Sequence, residues 1–162
     1  MLLGVISDTH DNVWKIEAAL PHLQQAQAIL HCGDLCSPFV IKRLGAGLGE
    51  RPIHVVWGNN EGDRLAIARV AESFPNVTLH GQVALLELGG LRVAVNHYPE
   101  IANELAASGH FDLVCYGHDH DAHSSTINGC TLLNPGELMG LKGRSTLAFF
   151  DTDTREARWV DL

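Results

Sequence analysis

Apolar residues in this chain come in short unbroken runs: Leu2–Ile6, Ala28–Leu30, Ile53–Val56, Leu91–Val95 and Leu113–Cys115. Runs of this kind are the pattern of strands buried on both faces. The first half alternates them with helical segments. A strand over Leu2–Ser7 leads to a helix over Val13–Gln24, capped by Asp11 or Asn12, which Pro21 should kink or end. A strand over Ala28–Cys32 leads to a helix that starts with Ser37 as N-cap and Pro38 at its first position and runs to about Leu44. Gly45-Ala46-Gly47-Leu48-Gly49 then reads as a loop. Ile53–Trp57 is a third strand, and Asp63–Ser73 an amphipathic helix with Leu65, Ile67, Ala68 and Ala71 available for burial. The second half is richer in strands: Val77–His80, Val83–Leu88 and Leu91–Asn96, the last two joined by a Gly89-Gly90 turn. A helix over Glu100–Ala107, a strand over Asp112–Tyr116, a hairpin of His123–Asn128 with Thr131–Leu133, and a final hairpin of Ser145–Asp151 with Glu156–Val160 complete the chain. Strand–helix units followed by hairpins predict an α/β fold with two sheets face to face and helices outside.

The residues that end these runs carry the chemistry. Leu2–Ile6 runs into Ser7-Asp8-Thr9-His10, Ala28–Leu30 into His31-Cys32-Gly33-Asp34, and Ile53–Val56 into Trp57-Gly58-Asn59-Asn60. Leu91–Val95 runs into Asn96-His97, and Leu113–Cys115 into Tyr116-Gly117-His118-Asp119-His120. Ligands of parallel sheets bind beyond the carboxyl ends of the strands. If the runs are neighbouring strands, Asp8, His10, Asp34, Asn59, His97, His118 and His120 converge on one patch, a set rich enough for two divalent cations. Taken singly, each element has a plainer reading. Asp-x-His is often a capped turn, Gly-Asp and Gly-Asn are common turn dipeptides, and a lone histidine is usually a satisfied polar residue. Taken together, those readings require independent turns at every buried strand end.

Composition narrows the field. The chain has 162 residues, 46% hydrophobic and 19% charged, which is most economically one domain spanning 1–162. The formal net charge is −8 and no Lys/Arg-rich stretch occurs, which argues against long nucleic acid as partner. Small anionic substrates fit, because bound cations reverse the local field. Cys32, Cys36, Cys115 and Cys130 form no Cys-x-x-Cys pair. Cys32 and Cys115 are expected in the core, and Cys36 beside the site in a supporting role. The chain enters a strand at Leu2 and has no stretch near the roughly 20 apolar residues of a membrane span. The expectation is a cytoplasmic protein without a signal peptide or membrane partner.

Asp8-x-His10, Gly33-Asp34, Gly58-Asn59, a lone His97 and Gly117-His118-x-His120 occur in an order and spacing that resemble the calcineurin-like metallophosphoesterases. The similarity is to the small single-domain bacterial and archaeal phosphodiesterases that include the YfcE-type enzymes. Asn134-Pro135-Gly136 and Gly58-Asn59-Asn60-Glu61-Gly62 match that group as well, and the resemblance spans Leu3 to about Asp151. It implies a four-layer αββα sandwich of two mixed sheets. It implies one metal held by Asp8, His10 and His120, a second by Asn59, His97 and His118, and Asp34 bridging. It makes Asp34, Asn59, Asn60 and His97 the catalytic candidates. The cofactors expected are two divalent ions, Mn²⁺ first, with Fe²⁺, Ni²⁺ and Zn²⁺ as alternatives. Two positions depart from the pattern: Tyr98 and Pro99 stand where relatives often have Gly and His, and Asn60 stands where larger relatives place a histidine that protonates a leaving group. Tyr98, Cys36 or water is left as proton donor. Arg144 is a candidate contact for an anionic substrate or a surface charge, and Asp119 and Asp121 read first as solvated loop charges, with one of them a candidate to orient His120.

The resulting expectation is hydrolysis of a small phosphodiester by a hydroxide bridging two divalent metals. The alternative, from a different class, is a non-catalytic scaffold like the retromer-coat subunit of the same fold. Completeness of the seven ligand positions favours the enzyme. A homo-oligomer is left open.

Overall fold

The computed structural model describes residues 1–162. In chain order its elements are β1 (Leu2–Ile6), α1 (Val13–Leu23), β2 (Ala28–His31), α2 (Pro38–Gly47), β3 (Ile53–Val55), α3 (Arg64–Ala71), β4 (Val77–Leu79) and β5 (Ala84–Leu88). There follow β6 (Leu91–Val95), α4 (Pro99–Ala107), β7 (Leu113–Cys115), β8 (His123–Ile127), β9 (Cys130–Asn134), β10 (Thr146–Asp151) and β11 (Glu156–Asp161). One sheet has the order β11-β10-β1-β2-β3-β4 and the other β5-β6-β7-β9-β8. Both are mixed: β1 to β4 run parallel, β10 runs antiparallel to β1 and β11 antiparallel to β10, and β6, β7 and β9 run parallel between antiparallel edges.

Alternation along the strands sets the layers. Leu3, Val5, Ala28 and Leu30 of the first sheet face Val93, Val95, Leu113, Cys115 and Leu133 of the second, with Cys32 among them. The neighbouring residues Ile6, Ile29, Ile53 and Val55 point the other way, onto Ile16, Val40, Ile41 and Ile67 of the helices. Ala94 and Val114 lie under Ala102 and Ala106 of α4. The architecture is therefore the expected αββα sandwich. No helix is long and apolar enough to cross a membrane.

Caps follow the residue chemistry. Asn12, not Asp11, caps α1 by accepting from Lys15 N–H at 3.2 Å, and Ser37 caps α2 by accepting from Phe39 N–H at 3.3 Å. Three local expectations are corrected. Pro21 does not end α1; it falls in the last turn, where its missing N–H costs one bond. Leu65 lies 60% exposed, because the buried stripe of α3 runs through Ile67 and Ala71 instead. The glycine-rich stretch is not a loop, since α2 continues through Gly45 to Gly47. These glycines make room. A Cβ on Gly45 would stand 2.6 Å from Phe74 Cγ and 3.0 Å from its Cβ, and one on Gly47 would stand 2.6 Å from Leu20 Cδ1.

The Gly45 contact gives a test. Alanine in a helix gains about 1 kcal/mol over glycine, but forcing a methyl into packed space costs roughly 1–3 kcal/mol. Gly45→Ala should lower the melting temperature by a few degrees, measured by calorimetry. A rise would mean that α2 is not held against Phe74 as described.

Candidate metal centre

Parallel order puts the carboxyl ends of β1, β2 and β3 along one edge, and those of β6 and β7 along the facing edge of the other sheet. The loops beyond are bonded to one another. Asp8 N–H donates to Gly33 O at 3.0 Å, His10 N–H to Asp34 O at 3.0 Å and Asp11 N–H to Leu35 O at 3.2 Å. The second sheet joins through His118 N–H, which donates to Asp8 Oδ2 at 3.1 Å, and through His97 Nδ1, 2.8 Å from Cys32 O. Glycine lets the loops approach this closely. A Cβ on Gly58 would meet Asp34 Oδ1 at 2.0 Å, and one on Gly117 would meet Ser7 Oγ at 1.9 Å. The Gly-Asn and Gly-His pairs are thus more than turn dipeptides.

All seven candidate ligands lie in this cluster. Asp8 Oδ1 is 3.1 Å from His120 Nε2 and 3.7 Å from His10 Nε2. Asp34 presents one oxygen to each side, with Oδ2 3.4 Å from His10 Nε2 and Oδ1 3.4 Å from His97 Nε2. Asn59 Oδ1 sits between His97 Nε2 at 3.0 Å and His118 Nδ1 at 2.9 Å. Two groups have the proximity that a cation needs, Asp8-His10-His120 and Asp8-Asp34-His97, each with its ligand atoms within 4.8 Å of one another. Asp8, His10, Asp34, His118 and His120 all adopt left-handed backbone, at φ of 52°, 39°, 59°, 74° and 61°. That region is uncommon outside glycine, and such strain clusters at functional sites.

The donor set fits divalent cations. Asp8 Oδ1 and His10 Nε2 are buried and form no hydrogen bond, a costly state that a shared cation would relieve. His97 Nδ1 faces a carbonyl and His120 Nδ1 lies 2.6 Å from Glu137 Oε2, both of which only accept. Each ring therefore carries its proton on Nδ1, which leaves Nε2 free to ligate.

Charge at the site is shared between carboxylates and imidazoles. Burial pushes the Asp8 carboxyl up, but the His10 and His120 imidazoles beside it outweigh burial and hold it well below the usual range. Asp34 is likewise raised by burial, yet His97 and the Asn60 amide bring it down to about 2. Burial works against charge on His97, and Asp34 and Asp8 reverse it, so its pKa is raised. His120 is raised by Asp8 first and then by Glu137.

Asn60 N–H donates to Asp34 Oδ1 at 2.8 Å and its Nδ2 to Oδ2 at 3.1 Å, so it braces the carboxylate. Tyr98 packs edge-on against His97 and His118, with ring centroids at 5.1 and 5.3 Å. Cys36 Sγ lies 3.4 Å from His10 Nδ1, and burial with nearby acids pushes its thiol up to about 12, a supporting position rather than a nucleophile. His31 packs beneath the loops on Thr9 Oγ1 and Gly33 N–H, with burial lowering its pKa to about 4. Arg144 is exposed and paired with Asp161. The carboxylate that orients His120 is Glu137, 1% exposed, and not Asp119 or Asp121. Asp119 accepts from Asn134 Nδ2 instead. Glu137 directly follows the Asn134-Pro135-Gly136 match, but no spacing rule ties it to a histidine seventeen positions away.

The pKa directions fix how the metal-free chain responds to pH. Asp34 stabilises above its unfolded value near 3.9 and that contribution is lost as pH falls through about 2. His97 and His120 stabilise fully below about 6.5 and lose that contribution as pH rises through their raised values. His31, kept neutral, destabilises as pH falls from 6.5 to about 4. The chelated protein should therefore melt highest near pH 6.5 and lower on both sides, with divalent metal moving the maximum upward by replacing the histidine protons. A chelated melting temperature that keeps rising through pH 8 would contradict the charge assignment.

Residues 1–155 match the model of the calcineurin-like phosphoesterase superfamily domain. A phosphodiesterase of Methanocaldococcus jannaschii is 29% identical over 167 residues, which cover 100% of this chain and 99% of the relative. The solved structure of an archaeal phosphodiesterase superposes with a TM-score of 0.92 at 29% identity, with all of both chains covered. A mutant Vps29 of Entamoeba histolytica, 19% identical with 100% of this chain and 99% of its own covered, shares the fold with a TM-score of 0.71.

Proposed function

The chain belongs to the calcineurin-like phosphoesterase superfamily, a family of metal-dependent hydrolases, and on that premise we propose that it hydrolyses small phosphodiesters at the centre described above. The observation that carries this reading is Asp34, whose two carboxylate oxygens face imidazoles on opposite sides, His10 and His97. We assign Asp8, His10 and His120 to one divalent cation, Asn59, His97 and His118 to a second, and Asp34 to both. A bound pair of cations supplies hydroxide at neutral pH and neutralises charge on a phosphoryl group. Manganese is our first choice, because carboxylate, amide and imidazole donors suit it and no thiolate is needed.

The chain's own residues prepare that chemistry. Cys32 O and Glu137 hold the protons of His97 and His120 on Nδ1. His97 and Asn60 keep Asp34 ionised, and Asn60 orients it. Every imidazole of the cluster is committed to the ligand set, and Asn60 and Pro99 offer no proton. Tyr98, packed against His97 and His118, is the side-chain acid we assign to a leaving oxygen. A monoanionic diester suits this centre. We read the protein as a one-domain cytoplasmic enzyme with no long nucleic acid as partner. The scaffold reading draws on the fold shared with Vps29, and the filled ligand set weighs against it.

Two experiments test the proposal. Asp34→Asn should lose activity beyond the roughly 10–100-fold typical of outer partners of a metal site, and lose metal by elemental analysis. His22→Ala, on the far end of α1, should keep both. Retention of activity and metal by Asp34→Asn would refute the bridging role.

Rates should also depend steeply on leaving-group acidity. A positioned acid contributes roughly 10²–10⁴-fold, most for poor leaving groups, and none of the usual histidines is present. Aryl diesters should react much faster than alkyl ones across a graded series. A flat dependence with chemistry rate-limiting would reveal a proton donor other than those named.

A further inference from the structure

Glu61 closes the Gly58-Asn59-Asn60-Glu61 run, and nothing in the proposed hydrolysis uses it. Its carboxylate accepts four backbone N–H groups. Oε1 accepts from Asp34 at 2.9 Å and Gly58 at 2.8 Å, and Oε2 from Leu35 at 2.9 Å and Cys36 at 3.1 Å. An ionised carboxylate has about four acceptor sites, so the side chain is spent entirely on main chain. Three of its donors are consecutive, in a stretch where Gly33, Asp34 and Cys36 have φ of 103°, 59° and 73°. Backbone of alternating hand turns successive N–H groups toward one point and forms an anion-binding concavity. In this chain the anion in that concavity is its own glutamate.

We propose that Glu61 is a positioning residue, an internal anion that locks the loop after β2 onto the loop after β3 and so sets the distance between Asp34 and Asn59. Oε1 does the joining, since it alone takes an N–H from each loop. The loops meet most closely at the same place, where Gly58 has no room for a Cβ against Asp34. With the loops joined, Asn60 reaches the Asp34 carboxylate through both its N–H and its side chain. Without the anion, four N–H groups would converge on no acceptor, and their mutual repulsion would part the loops. Glutamine cannot substitute, because its amide NH₂ would face two of the donors. The consequence for metal rests on the function proposed above, whereas the lock itself is measurable without metal.

The test uses the full chain as wild type, Glu61→Gln and Glu61→Ala. Amide hydrogen exchange on the metal-free proteins should quicken roughly tenfold or more at Asp34, Leu35, Cys36 and Gly58, with strand amides such as Leu30 and Val114 unchanged. Manganese affinity by titration calorimetry should fall about 10–100-fold. Acetate should slow the four amides again and restore part of the affinity in Glu61→Ala, where the concavity is open, but not in Glu61→Gln, where it is filled. Glu61→Asp covers the case in which both variants fail to fold. Its shorter acid stays on its own loop, so Gly58 should remain protected while Leu35 and Cys36 are released. Wild-type exchange at the four amides, or fast exchange with unaltered manganese affinity, would overturn the proposal. If the wild type itself binds no manganese, the metal reading fails while the exchange contrast still decides the lock.

Discussion

Asp8 and Asp34 bring two carboxylates into the same buried spot, 0% and 2% exposed, with ligand atoms of one cluster within 4.8 Å. Leaving one buried charge unpaired costs roughly 3–5 kcal/mol, a large part of the roughly 5–15 kcal/mol by which a domain is stable. The surroundings answer that demand. His10, His97 and His120 face the two acids, His118 N–H and Asn60 donate to them, and Asp8 Oδ1 still has no hydrogen bond. No lysine or arginine side chain reaches either carboxylate. A divalent cation bound there would supply counter-charge to both acids and a partner to the free imidazole nitrogens together.

Holding the acids there determines the backbone around them. Five of the ligand candidates occupy left-handed φ values, each a strain of order 1–3 kcal/mol. The strain is offset by hydrogen bonds between loops of neighbouring parallel strands, from Asp8, His10 and Asp11 to Gly33, Asp34 and Leu35. Those strands are in turn fixed by the apolar interface between the sheets, around Leu3, Val5, Val95 and Cys115. The glycines that precede Asp34, Asn59 and His118 remove the Cβ atoms that would hold the loops apart. The site is thus the common end point of the sheet packing, the strand order and the turn chemistry.

Much of this was legible in the sequence because buried parallel strands announce themselves as apolar runs, and the residue after each run has few places to go. Asp8, Asp34, Asn59, His97, His118 and His120 could be placed on one edge for that reason alone. What was not legible depends on contacts between distant segments. Gly45 and Gly47 look like loop residues by local preference, yet they are helical because Phe74 and Leu20 pack where their side chains would be. Leu65 looks buried by its apolarity, yet it lies off the stripe of Ile67 and Ala71. Glu137 reaches His120 from a different strand end, and Asp119, its sequence neighbour, turns to Asn134 instead. No periodicity encodes such pairings.

The claim that two cations share Asp34 is tested most directly by anomalous diffraction at the manganese edge, from crystals grown with manganese. The account predicts two peaks, one among Asp8, His10 and His120 and one among Asn59, His97 and His118, with Asp34 in contact with both. No peak at this sheet edge, or a single peak that Asp34 does not touch, would contradict it.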